Sequence, residues 1–482
     1  MKRYVSVAEE LRGMIQGGTL RPGEQLPSIR SLCRTRKLSP ATVLHAYEAL
    51  ESDGLIESKP RSGYYVMKPG AALSATPAPR MPAARAQSTR VDVSNLVFEI
   101  LEASRNREVV PFGSAFPSPS QFPWMKLARY LGSSARHMDP WSTVESLPPG
   151  NLELRRQIAR RYLRLGMGVG VEQIVVTSGA LEALNLSLQA VARSGETIAI
   201  ESPAFYGCLQ AAERLGLKVV EIPTHPREGM DLEALRAALD RHSIHAVWAM
   251  TTLQHPTGAT MGSDRKRELI KLLAHREIPL IEDDAYAELQ FATASPPAKA
   301  FDKKGLVLHC GSFSKCLAPG YRLGWVAAGR FSEEIARRKI ESSLATSLPI
   351  QQGVAQMLRH GGYDAHLARL RRFLATQQSA ALDSLRRHFP LGYRVAPPAG
   401  GYFLWVECAA SVDALEVHRL ALDHGITIAP GPMFSARRQF GNFIRLNIGH
   451  PWNAATDRAI ARLGELVRWS KLPRVKPAVR EP

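Results

Sequence analysis

The chain has 482 residues, 45% of them hydrophobic, and a formal net charge of +18 at pH 7. This length allows about two to four domains with a substantial core, and the charge favours a polyanionic partner, although a basic housekeeping enzyme would share it. The lack of a run of about 18 apolar residues argues against a membrane span. The five cysteines are scattered without a Cys-x-x-Cys pair, which argues against disulfides and a zinc site. This cysteine usage fits a protein of the reducing cytoplasm.

Residues 1–67 predict a small domain of three helices followed by a two-stranded ribbon. The first helix has apolar residues at helical spacing, and its interspersed charges differ from the apolar core of a signal peptide. The second helix, Ile29–Arg36, follows Ser28 as its capping residue, and the third begins after Ser39. Three helices and a ribbon in this order are typical of a winged helix-turn-helix.

A helix-turn-helix binds DNA by placing its recognition helix, here the third helix, in the major groove. Ser39 and Thr42 bring small hydroxyl side chains to its first turn, and His45 lies one turn further on the same face, within reach of a base edge. Arg30 lies on the preceding helix and Arg61 at the tip of the ribbon. The alternative is a protein-interaction domain whose basic residues are merely solvated.

Three segments of this domain resemble the GntR family of bacterial repressors. They are Leu26-Pro27-Ser28-Ile29-Arg30, Ser39-Pro40-Ala41-Thr42-Val43 and Ala46-Tyr47-Glu48-Ala49-Leu50-Glu51-Ser52-Asp53-Gly54-Leu55-Ile56. The resemblance implies that Arg30, Ser39 and Thr42 contact double-stranded operator DNA, together with Arg61 and Gly63 in the wing. His45 is added to this set from helical spacing alone.

Residues 68–90 change in composition. They contain four prolines, many alanines, no acid, and the basic residues Lys68, Arg80, Arg85 and Arg90. This composition predicts a semi-stiff linker without a core of its own. We therefore place the start of the second domain at residue 91.

The final segment, 91–482, alternates strand-like and helical runs. The strand-like runs are 174–177, 197–200, 219–222, 246–250, 279–282 and 306–310. Such alternation predicts an α/β domain with a mainly parallel sheet covered on both faces. After about residue 345 the pattern becomes helical, and a small α+β part follows.

Lys315 follows one of these runs in Gly311-Ser312-Phe313-Ser314-Lys315, which places it at the carboxyl end of a strand, where α/β proteins bind ligands. A lysine there can condense with the aldehyde of pyridoxal phosphate, and Arg322, Ser312 and Ser314 suit its phosphate. An isolated lysine is usually a surface residue, so the interpretation depends on its neighbours.

The other groups that pyridoxal phosphate needs have candidates as well. Asp283 follows a buried run, where a carboxylate is costly unless it pairs with a cation such as a pyridinium, and Tyr286 is within reach of the ring oxygen. Phe205 is a candidate to cover the ring, and the turn Thr177-Ser178-Gly179-Ala180 is a candidate phosphate cradle. The ordinary alternatives are a helix cap, a core aromatic and a common strand–helix turn.

In their order along the chain, these motifs resemble fold-type I aminotransferases of the class I/II group. The resemblance implies a Schiff base at Lys315 and cofactor contacts from Ser178, Gly179, Ala180, Phe205, Asp283, Tyr286, Ser312, Ser314 and Arg322. It also implies that Arg445 binds a substrate carboxylate. His255 stands where the family usually has an asparagine that donates to the ring oxygen, and its imidazole N–H could make the same hydrogen bond as a cofactor contact. The imidazole is bulkier and titrates near neutral pH, which predicts an altered pH response of the cofactor and weakens the case for efficient transamination.

A GntR-like domain fused to an aminotransferase-like domain resembles the MocR group of regulators. This resemblance implies a cytoplasmic, head-to-tail homodimer in which an amino acid, an amine or the cofactor itself changes DNA binding through the Lys315 aldimine. We expect such a regulator, with little or no turnover. The alternatives are an active aminotransferase with an accessory DNA-binding domain and, more distantly, a store for the cofactor.

Overall fold

The computed structural model describes residues 3–21, 23–52, 55–59, 62–66, 76–82, 87–103, 108–142, 147–292 and 295–470. Internal contacts divide the chain into two units, 1–76 and 77–482. The second unit begins earlier than the predicted residue 91, because the proline-rich segment is held by main-chain groups: the Val395 N–H donates to the Pro77 carbonyl at 3.1 Å. The five cysteines are free in this structure.

The first unit contains α1 (Arg3–Gln16), α2 (Ile29–Arg36), α3 (Pro40–Ser52) and the antiparallel pair β1 (Ile56–Lys59) and β2 (Gly63–Val66). The Ser28 side chain caps α2 by accepting from the Ser31 N–H at 3.2 Å, and Ser39 accepts from the Thr42 N–H at 3.2 Å. Tyr47 is buried in the core and donates to the Pro27 carbonyl at 2.6 Å. The predicted winged helix-turn-helix is confirmed.

The second unit is built on a nine-stranded sheet. Its strands are β3 (Thr89–Arg90), β5 (Ile174–Thr177), β6 (Thr197–Ser202), β7 (Lys218–His225), β8 (Gly229–Met230), β9 (Ile244–Ala249), β10 (Leu280–Asp283), β11 (Val307–Ser312) and β12 (Gly324–Ala327). They lie in the order β3-β7-β6-β9-β10-β11-β12-β5, with β8 beside β7. The central strands from β7 to β11 are parallel, as predicted, but β12 runs antiparallel between β11 and β5.

Twelve helices accompany this sheet among the described residues of the second unit. They are α4 (Ser94–Ala103), α5 (Trp124–Arg136), α6 (Leu152–Arg164), α7 (Ala180–Val191), α8 (Tyr206–Arg214), α9 (Leu232–Arg241), α10 (Ser263–His275), α11 (Ser332–Ser343), α12 (Leu348–Arg359), α13 (Gly362–His388), α14 (Ala414–Asp423) and α15 (Ala454–Trp469). The central strands are buried along nearly their whole length, which is typical of a sheet covered on both faces.

A smaller α+β part completes the second unit. It contains the antiparallel sheet β13 (Arg394–Val395), β14 (Phe403–Glu407), β17 (Phe443–Asn447) and β16 (Ala429–Pro430), and a parallel pair of β4 (Val110–Pro111) and β15 (Ile426–Thr427). The predicted α/β body with a terminal α+β part is confirmed. No helix within the described ranges is long and apolar enough to cross a membrane.

Candidate functional site

A cavity of about 430 Å³ lies where several strands of the large sheet end. Its walls include Ala180, Phe205, Asp283, Tyr286, Lys315 and Arg322. These residues end β10 or follow β5, β6 and β11, and the carboxyl ends of parallel strands are where α/β folds bind ligands. The cavity is large enough for a cofactor and a small ligand.

Lys315 lies in the wall of this cavity. Its Nζ donates to the Ala115 carbonyl at 2.9 Å and lies 4.1 Å from the centre of the Phe116 ring. Burial, followed by the positive charges of Arg445 and Arg322, lowers the pKa of Lys315 to about 7, while Asp283 partly opposes this shift. A substantial fraction of the amine is therefore neutral and nucleophilic near pH 7.

Asp283 ends β10 and is buried. Burial raises its pKa to about 7, because the carboxylate loses its water, and the neighbouring Asp284 adds to the shift. A cation beside this carboxyl would restore its ionised form. Tyr286, also buried, follows three residues later in the same wall.

The turn between β5 and α7 has the geometry of an anion cradle. Gly179 has φ +89°, a conformation that favours glycine, and a Cβ added there would lie 2.8 Å from Nη2 of Arg322 and displace that guanidinium. Arg322 also approaches Ser314, whose Oγ accepts from Nη1 at 3.5 Å, and the Ser314 N–H donates to Ser312 Oγ at 3.0 Å. A guanidinium, hydroxyls and a helix N-terminus together suit a phosphate.

Ser178, an expected phosphate contact in this turn, has protein partners in this structure. Its N–H donates to the Glu182 carboxylate at 2.5 Å, and its Oγ lies 3.3 Å from Thr346 Oγ1. Glu182 in turn pairs with Lys339 at 2.8 Å. The Glu182 carboxylate therefore occupies the Ser178 amide, and the phosphate contact of Ser178 stays a prediction.

Phe205 lines the cavity as a flat surface. A Cβ added at Gly207 would lie 2.5 Å from Cε1 of the Phe205 ring. The ring therefore fits in this position because residue 207 has no side chain. The ring centres of Phe205 and His255 are 5.5 Å apart. An aromatic ring in this place can cover a planar ligand.

Arg445 lies on β17 and is 1% exposed. Its Nη1 donates to His255 Nε2 at 3.1 Å, and its Nη2 donates to the carbonyls of Gly113 and Ser114. No ion pair to an acid is seen for Arg445 among the described residues, and its Nε has no partner there. A buried guanidinium without a carboxylate partner keeps its positive charge uncompensated and would attract an anion.

His255 is also buried, and its Nδ1 has no partner among the described residues. Since Arg445 can only donate, Nε2 accepts and the proton lies on Nδ1. Burial, then the charges of Arg445 and Lys315, hold the pKa of His255 well below its usual value. The expected titration near neutral pH is therefore wrong, because the imidazole is kept neutral by its surroundings.

Some contacts of the site are not predicted by any sequence motif. The segment 113–116 brings the Ala115 carbonyl to Lys315 and the carbonyls of Gly113 and Ser114 to Arg445. Tyr402 donates to the Ala115 carbonyl at 3.2 Å. Because these are mostly main-chain contacts, residue types in the sequence carry no signal for them.

In the first unit, the candidate DNA contacts lie mainly on the surface. Arg30, Ser39, His45 and Gly63 are exposed and Thr42 is half-buried, whereas Arg61 lies outside the described residues. The Ser39 and Thr42 hydroxyls are 2.8 Å apart, and the His45 ring lies 5.8 Å from that of Tyr4. The first turn of α3 is therefore accessible from outside this unit.

No group of three or more metal-binding side chains is present among the described residues. The cavity brings together the amine of Lys315, the carboxyl of Asp283 and the guanidinium of Arg322, and the guanidinium of Arg445 is buried in the same unit.

Comparisons with known proteins match each unit. Residues 3–66 match the gntR family of bacterial regulatory proteins, and residues 142–463 match the class I and II aminotransferases. The uncharacterized HTH-type transcriptional regulator YdcR of Escherichia coli is 45% identical, with 97% of this chain and 99% of that protein covered. YjiR of the same organism is 34% identical over 97% and 99%.

Solved structures resemble the second unit. LysN, an α-aminoadipate aminotransferase from Thermus thermophilus, superposes with a TM-score of 0.72 at 27% identity, covering 79% of this chain and 96% of that chain. A multiple substrate aminotransferase from Thermococcus profundus gives a TM-score of 0.71 at 26% identity, covering 77% and 94%. With a helix-turn-helix unit in front of an aminotransferase fold, the chain belongs to the MocR group of GntR-family transcriptional regulators.

Proposed function

We propose that this protein is a DNA-binding transcriptional regulator whose second unit holds pyridoxal phosphate and senses an amino acid or amine. The observation that carries the proposal is Lys315, an amine with a pKa near 7, in one cavity with Asp283 and the Arg322 cradle. This cavity occurs in a chain that also presents an accessible recognition helix. We also propose that it acts in the cytoplasm.

The residues of the cavity fit this cofactor. When bound, pyridoxal phosphate supplies an aldehyde for an amine and an electron-withdrawing ring. Lys315 would hold it covalently, and Asp283 would face its ring nitrogen. Tyr286 and the unpartnered Nδ1–H of His255 would donate hydrogen bonds to its ring oxygen. Ser312, Ser314, Arg322 and the N-terminus of α7 at Ala180 would hold the phosphate, and Phe205 would cover the ring.

Arg445 would bind the carboxylate of the effector. The carbonyls of Gly113 and Ser114 now occupy its Nη2, so a carboxylate would compete with them. Their release would also disturb the neighbouring Ala115 carbonyl, which accepts from Lys315. An effector that replaces these carbonyls at Arg445 would bind the protein with different affinity before and after the segment moves. Such a difference in affinity between two states of the protein is required for an effector to change DNA binding.

The first unit would place α3 in the major groove of operator DNA. Arg30, Ser39, Thr42 and His45 would contact DNA from α2 and α3, and Arg61 and Gly63 from the wing. A homodimer with a head-to-tail arrangement would present two such units to two half-sites.

An active aminotransferase is the second candidate, favoured by the presence of Lys315, Asp283 and Arg445 in one unit. The two functions differ in turnover and in DNA binding. We expect promoter fragments to bind with an affinity that amino acids change, while transamination stays slow. Turnover at many cycles per second by a protein that binds no promoter fragment would contradict the regulator function.

A further inference from the structure

A hydrogen-bonded chain of four buried side chains lies beside Asp283, outside the cofactor cavity. Trp325 Nε1 donates to the Tyr162 hydroxyl at 2.8 Å, and the oxygen of that hydroxyl lies 2.7 Å from His309 Nδ1. The other ring nitrogen, His309 Nε2, lies 2.8 Å from the Asp284 carboxylate. Each of these four side chains is at most 8% exposed. The chain of contacts is therefore complete within one protomer and does not depend on a second copy.

Asp283 and Asp284 are neighbours in the sequence, but their side chains line different cavities. Asp283 lines the cofactor cavity, whereas Asp284 lines a separate cavity of about 60 Å³ together with Tyr162 and His309. The Asp284 N–H donates to the Cys310 carbonyl at 2.9 Å, so pairing with β11 continues past Asp283 and successive side chains point to opposite faces. Two carboxyls thus lie close together, and only one of them is open to the cofactor.

The donors and acceptors of this chain fix where its protons lie. An indole N–H can only donate, so the Tyr162 oxygen accepts from Trp325 and its own proton points to His309 Nδ1. Burial raises the pKa of Tyr162 well above its usual value, so the phenol keeps that proton. His309 then carries its proton on Nε2 and donates it to Asp284 as a neutral imidazole. A second proton on Nδ1 would leave the buried Tyr162 hydroxyl without an acceptor among the described residues, which is costly.

The surroundings of Asp284 favour its ionised form. Among the described residues, His309 is the only side chain that donates to this carboxylate, and the ammonium of Lys266 interacts favourably with it. A hydrogen bond to the charged form and a nearby cation both stabilise a carboxylate. The other charged groups around it are occupied elsewhere: Arg161 pairs with Glu288 at 2.7 Å, and Glu282 accepts from the N–H groups of Ala298 and Lys299.

The charge of Asp284 acts on Asp283. Burial raises the pKa of Asp283 to about 7 and the charge of Asp284 adds to the shift, whereas the Ala285 N–H and the charge of Lys315 oppose it. A protonated His309 would oppose it as well, so a neutral His309 leaves the effect of Asp284 in place. Burial also keeps the remaining titratable groups around Asp283 largely uncharged near pH 7, because it raises the pKa of Glu201, Tyr286, Cys208 and Cys310.

We propose that His309 is a positioning residue that keeps Asp284 ionised, so that in the empty site the proton of this carboxyl pair lies on Asp283. On cofactor binding, Asp283 passes this proton to the ring nitrogen. The carboxyl becomes a carboxylate and the nitrogen a cation, and no proton is drawn from water. The inference rests on the proposed function and deepens it, since it gives His309 and Asp284 a part in cofactor binding from outside the cavity.

Infrared spectroscopy of the full-length protein without cofactor tests the first part. The carbonyl stretch of protonated carboxyls is followed against pH, and subtracting the spectrum of the same protein with Asp283→Asn separates Asp283 from other buried acids such as Glu201. The parent should titrate with a midpoint of about 7. In His309→Phe, Asp284 loses its donor and takes up a proton, so the midpoint of Asp283 should fall by about one unit or more. A midpoint that stays or rises overturns the inference.

Two further variants distinguish this role from a merely structural one. His309→Gln keeps an N–H that can donate to Asp284, and its midpoint should remain that of the parent. Asp284→Asn removes the charge itself and should lower the midpoint as His309→Phe does, which also provides the answer if His309→Phe does not fold. A lowered midpoint in His309→Gln, or an unchanged one in Asp284→Asn, would contradict the role of the hydrogen bond between His309 and Asp284.

Loading with pyridoxal phosphate tests the transfer of the proton. About one pH unit below its midpoint, the parent should lose the protonated-carboxyl signal of Asp283 when the cofactor binds. A signal that persists in the loaded protein overturns the transfer. A protein that takes up no pyridoxal phosphate contradicts the proposed function and the transfer with it, while the midpoints without cofactor decide separately whether His309 keeps Asp284 ionised.

Discussion

Nη1 of Arg445 donates a hydrogen bond to Nε2 of His255 at 3.1 Å, although the two residues are 190 positions apart. The proposed carboxylate site is thereby linked directly to a residue whose ring lies 5.5 Å from that of Phe205. The contact also sets the imidazole tautomer, because the arginine can only donate. A carboxylate bound to Arg445 would consequently change the hydrogen bond of His255, a residue proposed to contact the cofactor.

His255→Phe should weaken the binding of pyridoxal phosphate by about tenfold or more. The variant removes the Nδ1–H donor proposed for the ring oxygen, and leaving a buried acceptor without its hydrogen bond costs about 1–3 kcal/mol. His255→Asn should bind nearly as well as the parent, since an amide can both accept and donate. Cofactor titration of the three apoproteins measures the difference, and equal affinities would refute the proposed role.

Attachment of pyridoxal phosphate to the apoprotein should become faster as the pH rises through about 7, the pKa of Lys315. Below this pH the ammonium has no lone pair to attack the aldehyde, and above it the free amine predominates. Stopped-flow absorbance measures the rate, which should rise roughly tenfold per pH unit well below the pKa. Lys315→Ala should form no covalent band at any pH. A rate in the parent that falls with rising pH would contradict the assignment.

Asp283→Asn should stabilise the apoprotein by about 2 kcal/mol at pH 8. Because burial raises the pKa of Asp283 to about 7, its ionised form opposes folding. This cost is absent below the unfolded-state pKa, grows as the pH rises towards 7, and then remains constant. Urea unfolding of the apoproteins measures it.

Asp284→Asn is the matched control for this prediction. The Asp284 carboxylate lies 2.8 Å from His309 Nε2, so its loss should leave the apoprotein no more stable than the parent. Equal stabilisation by both substitutions would show that the effect does not come from the uncompensated charge of Asp283.

Gly179→Ala should lower the affinity for pyridoxal phosphate by more than about tenfold. The new Cβ would lie 2.8 Å from Arg322 Nη2, and the φ of +89° adds strain of about 1–2 kcal/mol. Gly320→Ala, at a glycine with open space around it, should bind the cofactor normally. Isothermal titration of the apoproteins provides the comparison. Normal binding by Gly179→Ala would mean that this turn does not hold the phosphate.

Arg30→Ala should weaken binding to a promoter fragment by about tenfold, with a smaller salt dependence, because one DNA contact is lost. Its cofactor absorbance should remain that of the parent. Arg36→Ala should have a smaller effect, since Arg36 donates to Glu10 at 3.2 Å within the same unit. Fluorescence anisotropy at several salt concentrations measures both variants, and an unchanged affinity for Arg30→Ala would remove it from the interface.

The sequence alone determined the features that depend on local interactions. The start of α2 follows from the Ser28 cap, and Ser39 starts α3 in the same way. The parallel sheet follows from alternating strand and helix patterns, which also place Asp283 and Lys315 after neighbouring strands. Here the signal lies within a few residues of the feature that it predicts.

Only the tertiary structure decided the contacts between distant segments. It placed β12 antiparallel beside β5, brought segment 113–116 to Lys315 and Arg445, and turned the Ser178 amide towards Glu182. It also lowered the pKa of His255, which its residue type places near neutrality. These properties depend on burial and on charges brought close by folding, and neither quantity is encoded in the residues next to them.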